Sequence, residues 1–238
     1  MKLPLLFLLS AAVALAANSP TTPPSADAVK LNGAWRSIDN AMRTMIVMDG
    51  YYAQAQFDSA QRVFEGAFGG PFTLANGIVR GKVDFNSIDP SQIGSDFSLP
   101  LTLEGDRLVI GAGDEKETWT RLDTGKAALA GTWRLSGRET NGKMNEVAAS
   151  PRRMLKLVSE KRYHWITFDV VTQTFVGSGG GTYTFTDGKY VENIEFFAGN
   201  ASRVGMALPF TGEIKDGKWH HRGQSSAGDA LYQVWTRL

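Results

Sequence analysis

Short runs of alternating apolar and polar residues, rich in β-branched and aromatic side chains, recur along most of the chain, separated by Gly, Asp and Asn. This period-two pattern predicts half-buried strands joined by tight turns, an antiparallel meander. In the C-terminal half, strands are expected at residues 131–137, 154–159, 163–169, 175–186, 189–198, 209–215, 218–224 and 230–238. Thr186-Asp187-Gly188 and Asp216-Gly217 are hairpin turns between them. Eight sequentially paired strands close into a barrel and leave no edge exposed.

The pattern occurs twice. Gly33-Ala34-Trp35-Arg36 returns as Gly131-Thr132-Trp133-Arg134, and Trp119-Thr120-Arg121-Leu122 returns as Trp235-Thr236-Arg237-Leu238. Between these ends a constant offset of 111 pairs Phe57-Asp58 with Phe168-Asp169, Gly69-Gly70 with Gly180-Gly181, and Val83-Asp84-Phe85 with Ile194-Glu195-Phe196. A repeat of this kind sets the domain count. The copies span residues 31–122 and 129–238, and the linker 123–128 is short enough that the barrels are expected to touch. The fold class is therefore all-β: two tandem small antiparallel up-and-down β-barrels of about eight strands each.

The G-x-W near each first strand and the Arg on each last strand resemble the lipocalin, or calycin, family. Through Gly179-Gly180-Gly181-Thr182-Tyr183, Tyr190 to Glu195 and Trp219-His220-His221-Arg222-Gly223, the second copy resembles a bacterial secreted lipocalin-like domain of unknown function. The resemblance implies a barrel in which Arg237 covers Trp133 and, in the first copy, Arg121 covers Trp35. It implies no particular chemistry, and the first copy departs from it by lacking the His and Glu positions.

Ahead of the repeats, Lys2 precedes an apolar run, residues 3–16, that ends in Ala14-Leu15-Ala16. That is the pattern of a cleaved export signal, residues 1–17, followed by a Pro-rich disordered tether, residues 18–30. A secreted or periplasmic location is expected, with no membrane span once the signal is removed. The absence of cysteine rules out disulfides and thiolate chemistry. The 25 basic and 24 acidic residues nearly cancel, which argues against a nucleic-acid partner. Charged outer strand faces argue against an outer-membrane barrel.

One copy is used to orient the other. Val79, Gly81, Val83 and Phe85 alternate with Arg80, Lys82 and Asp84, so the apolar set is expected inside. Its partners Tyr190, Glu192, Ile194 and Phe196 follow it inward. Tyr51, Ala53, Ala55 and Phe57 likewise place Arg162, His164, Ile166 and Phe168 inside, and Leu108 and Ile110 place Trp219 and His221 there. With Tyr183, the second barrel is then expected to gather Arg162, His164, Tyr183, Tyr190, Glu192, Trp219 and His221, against a small apolar interior in the first.

Buried acids and imidazoles need partners, so this set predicts binding of a small amphipathic or polar molecule inside the second barrel. Two alternatives stay open. His164, Glu192 and His221 could act as acid-base groups or metal ligands, although they lack local ligand spacing. The chain could instead be a structural module with no ligand, presenting Tyr52, Tyr163 and Trp165 outward to another molecule. No residue pattern names a cofactor, and the insertion at 137–152 is a candidate lid or a plain surface loop. The Gly177 to Gly181 run lacks the G-K-[ST] of a phosphate loop.

Overall fold

A computed structural model describes residues 24–238; the expected export signal and residues 18–23 of the tether lie outside it. The rest of the expected tether is ordered. Ser25 caps a single helical turn, α1 (Ala26–Val29), by accepting from Ala28 N, and Ala28 and Leu31 are buried against the first barrel.

The first barrel comprises β1 (Gly33–Ser37), β2 (Arg43–Met48), β3 (Tyr51–Asp58), β4 (Val63–Ala75), β5 (Ile78–Lys82), β6 (Phe85–Asn86), β7 (Asp96–Glu104), β8 (Arg107–Ile110) and β9 (Glu117–Asp123). All neighbours are antiparallel and the β1–β9 and β3–β4 pairings close the ring, with the two-residue β6 as an extra strand. The second barrel comprises β10 (Gly131–Thr140), β11 (Lys143–Glu146), β12 (Arg152–Val158), β13 (Arg162–Asp169), β14 (Thr174–Thr186), β15 (Lys189–Phe197), β16 (Ala207–Lys215), β17 (Lys218–Gln224) and β18 (Ala230–Arg237). The β10–β18 pairing closes it. Within residues 137–152, β10 continues past the barrel and pairs with β11 in a hairpin.

Turn chemistry explains the registers. Asp49-Gly50, Asn76-Gly77, Asn141-Gly142, Asp187-Gly188 and Asp216-Gly217 all have positive φ at both positions. Asn and Asp tolerate this conformation and Gly adopts it freely, so these pairs make the twisted two-residue hairpins that join neighbouring strands. At the closed ends the repeat is visible atom by atom. Trp35 Nε1 donates to the Leu31 carbonyl at 3.0 Å and Trp133 Nε1 to the Leu129 carbonyl at 2.8 Å. The guanidinium of Arg121 lies 4.1 Å over the Trp35 ring and that of Arg237 4.5 Å over Trp133.

The barrels share a third apolar cluster. Ile46, Ala53, Ala55, Phe57 and Phe85 of the first pack against Leu155, Leu157, Ile166, Phe168 and Phe196 of the second. Phe57 stacks on Phe196 at 4.6 Å between centroids, and Phe85 meets Phe168 at 5.4 Å. Polar contacts seal the edges: Arg153 reaches Asp84 at 3.2 Å, and Thr132 donates to Asp49 Oδ2 and the Met48 carbonyl. Asp123 fixes the linker by accepting from Ala34 N, Gly125 N and Ser159 Oγ.

This junction corrects the expected strand orientation. On β3 the apolar set Tyr51, Ala53, Ala55 and Phe57 faces the other barrel, whereas Tyr52 and Gln54 face their own interior. On β13, Arg162, His164, Ile166 and Phe168 likewise lie outside the second barrel, and Tyr163 and Trp165 lie within it. Tyr52, Tyr163 and Trp165 are thus core residues rather than an outward contact set. A strand between two apolar environments offers both faces to nonpolar surroundings, so alternation does not say which face is interior. β5 and β15 follow expectation at Val79, Tyr190 and Glu192. A register shift opposite Gly180 and Gly181 accompanies the turn of Phe196 to the junction, where its counterpart Phe85 also lies.

Candidate functional site

The first barrel encloses a cavity of about 180 Å³. Its floor includes Leu31, and its walls include Met45, Tyr52, Phe72, Val79, Leu99, Leu108 and Trp119. Tyr52 meets Phe68, Phe72 and Phe97 edge-on at 5.7 to 6.5 Å. Burial, followed by the Asp84 charge, pushes the Tyr52 phenol well above its usual range, so it stays neutral.

Polar groups gather at the other end, where β2 and β9 begin. Arg43 binds Glu117 through two parallel contacts, 2.7 and 3.0 Å, and its guanidinium lies 5.1 Å over the Trp119 ring. With its amide oxygen turned to the guanidinium, Gln54 accepts from Arg43 Nε at 2.7 Å. The rim is completed by Asn86, Ile88, Asp89 and Gln92 from the connection between β5 and β7. Trp119 is fully buried, and its indole N–H has no partner among the described residues. An apolar chamber with one polar end suits an amphipathic molecule.

The second barrel is filled instead, and the 111 offset shows how. Val79, Leu99, Leu108 and Gln54 of the first correspond to Tyr190, Phe210, Trp219 and Trp165 of the second, and the cross-strand pairings match, Val79↔Leu99 against Tyr190↔Phe210. Met45 and Gly81 become Lys156 and Glu192, whose Nζ and Oε1 lie 2.7 Å apart with both side chains buried. Tyr190 OH donates to the same carboxylate oxygen at 3.0 Å. Lys156 Nζ sits 5.1 to 5.8 Å from the rings of Trp235, Trp219, Tyr163 and Tyr190, a cation enclosed by aromatic faces.

Of the residues read from sequence as one site, Tyr183, Tyr190, Glu192, Trp219 and His221 do meet inside the second barrel. Tyr183 is committed to structure, donating its hydroxyl to the Ser159 carbonyl at 2.9 Å. His221 packs at 4.0 Å on Phe210; burial, then the Lys156 charge, drives its pKa far down, although a contact with Gln233 opposes this. Arg162 and His164 are not part of the group. Arg162 pairs with Glu195 outside the barrel. His164 Nε2 lies 2.7 Å from Ser178 Oγ at the junction, where burial lowers its pKa to about 3 against a hydrogen bond to the Ala53 backbone.

His164 thus stands on the outer side of a barrel wall and Glu192 and His221 on the inner side, so the three do not converge as metal ligands or as an acid-base set. Among the described residues, no group of three His, Cys, Asp or Glu side chains is placed to hold a metal ion. Sequence reasoning missed Lys156 and the first-barrel cavity. The same offset carried the signal for both, since it sets a lysine opposite Met45 and larger side chains opposite Gln54, Val79, Leu99 and Leu108. The two closed eight-stranded barrels are consistent with a lipocalin-like fold; no family model and no curated protein matches the chain.

Proposed function

We propose that this chain is an exported binding protein that holds a small amphipathic molecule in the first barrel, with the second barrel serving as a packed support. The observation that carries the reading is the contrast between equivalent interiors. Where the second barrel places Tyr190, Phe210 and Trp219, the first places Val79, Leu99 and Leu108 and keeps a cavity of about 180 Å³. That exceeds the ~150 Å³ apolar cavity known to take benzene, so one ring or a short chain fits. Export rests on Lys2 and the apolar residues 3–16.

Titration of the ¹⁵N-labelled protein with 2-phenylethanol tests the location, read on the six tryptophan indole N–H resonances, with Trp119→Phe assigning its own. The Trp119 signal should move while those of Trp219 and Trp235 stay in place. Shifts confined to Trp219 and Trp235 would return the site to the second barrel, and no shifts at all would remove the binding reading.

A further inference from the structure

We infer that the ligand of the first barrel is a cationic amphiphile, an amine or similar cation on a body about the size of one aromatic ring; this rests on the cavity reading above. Three observations converge on that class.

Among the described residues, Arg43 is the only base lining the cavity, and it is already committed. Arg43 is held by both oxygens of Glu117 and by Gln54, with Trp119 under its face. A ligand carboxylate would have to displace Glu117 from a bidentate pair, the strongest geometry available to a guanidinium. An anionic headgroup therefore meets a site whose positive charge is spent.

The rim is acidic. Asp89, in the lining segment, accepts from Ser91 N and Oγ, and the Ser91 hydroxyl holds its carboxyl below the usual range, so it stays ionised. No basic side chain among the described residues pairs with it. Asp96, also lining, is paired with Lys82. The connections at the end where Arg43 and Glu117 open their strands carry Asp39, Asp114 and Glu115 against Lys116, while Asp58 and Arg62 in the remaining turn cancel. Acidic charge around a low-dielectric chamber concentrates cations and repels anions.

The wall is aromatic. Tyr52, Phe72, Phe97 and Trp119 line the cavity, and the Tyr52 phenol stays neutral there. Such faces accept apolar rings and tolerate a nearby cation.

Calorimetric titration of the full chain with 2-phenylethylamine, 2-phenylethanol and phenylacetate, which differ mainly in headgroup charge, separates the possibilities. At neutral pH and low salt the amine should bind about tenfold more tightly than the acid, as expected for one uncompensated charge contact, and the gap should shrink as salt rises. Asp89→Asn, which keeps the acceptor for Ser91, should narrow the gap between the amine and the acid. Binding of the alcohol with the acid equal to or better than the amine would overturn the cationic class and leave the cavity reading standing. Failure of all three to bind would overturn the cavity reading itself.

Discussion

Phe57 and Phe196 stack at 4.6 Å across the junction, so each barrel completes the apolar surroundings of a phenylalanine belonging to the other. Truncating a buried phenylalanine costs about 3 to 5 kcal/mol. Phe196→Ala should lose that much stability in urea denaturation. Because the junction cluster is continuous, the wild-type barrels should unfold in a single transition seen identically by tryptophan fluorescence and far-UV circular dichroism. Two separated transitions in the wild type would show that the barrels fold independently and that the junction contributes little.

The Lys156–Glu192 pair yields a sharper test. Removing one partner of a buried ion pair strands the other charge, a loss of about 3 to 5 kcal/mol, whereas replacing both with apolar groups is often neutral or stabilising. Lys156→Met and Glu192→Gln should each destabilise strongly. The double variant Lys156→Met/Glu192→Leu should recover most of the loss, since the equivalent place in the first barrel already holds Met45. Denaturant midpoints compare the three, and a double variant no better than the singles would mean that the ions hold the barrel together beyond their pairing.

These interiors show what the sequence could and could not disclose. The repeat, the Asp-Gly and Asn-Gly hairpins and the Arg-over-Trp closure were legible because each depends on local chemistry at fixed spacing. The orientation of β3 and β13 was not. Ala53 and Ala55 alternate with polar residues just as an interior face does, yet they meet a neighbouring barrel, and only tertiary packing distinguishes the two. His164 was misplaced by the same step, and Tyr163 and Trp165 with it. The cavity was hidden for another reason: it depends on the summed volumes of Val79, Leu99 and Leu108 around a closed ring, and no single residue reports that sum.

His164 makes a prediction about pH. Its pKa falls from the usual 6.5 to about 3 on folding, so between those values the unfolded chain holds a proton that the folded one lacks. Stability from this group is complete above about pH 6.5 and declines as pH falls, by about 1.4 kcal/mol per unit. His221 acts in the same direction. Asp84 opposes them, because burial raises its pKa despite Arg153 and Tyr51. His164→Gln should therefore be less stable at pH 7.5 yet show a shallower loss between pH 6 and 4, measured by urea midpoints. An unchanged slope would mean that His164 protonates without resistance at the junction.

Filling the first barrel should separate binding from folding. Leu99→Phe copies the second barrel, where Phe210 occupies the equivalent position beside Tyr190. In a filled core an added ring of this kind costs about 1 to 3 kcal/mol through overpacking. Here it enters a cavity of about 180 Å³ lined by Leu99 itself, so stability should change by less than about 1 kcal/mol while affinity for 2-phenylethanol falls at least about tenfold. Strong destabilisation would show that side chains already occupy the space, and unchanged affinity would place the bound molecule elsewhere. The pairing of the two readouts matters, because a variant that lost binding by misfolding would lose stability with it.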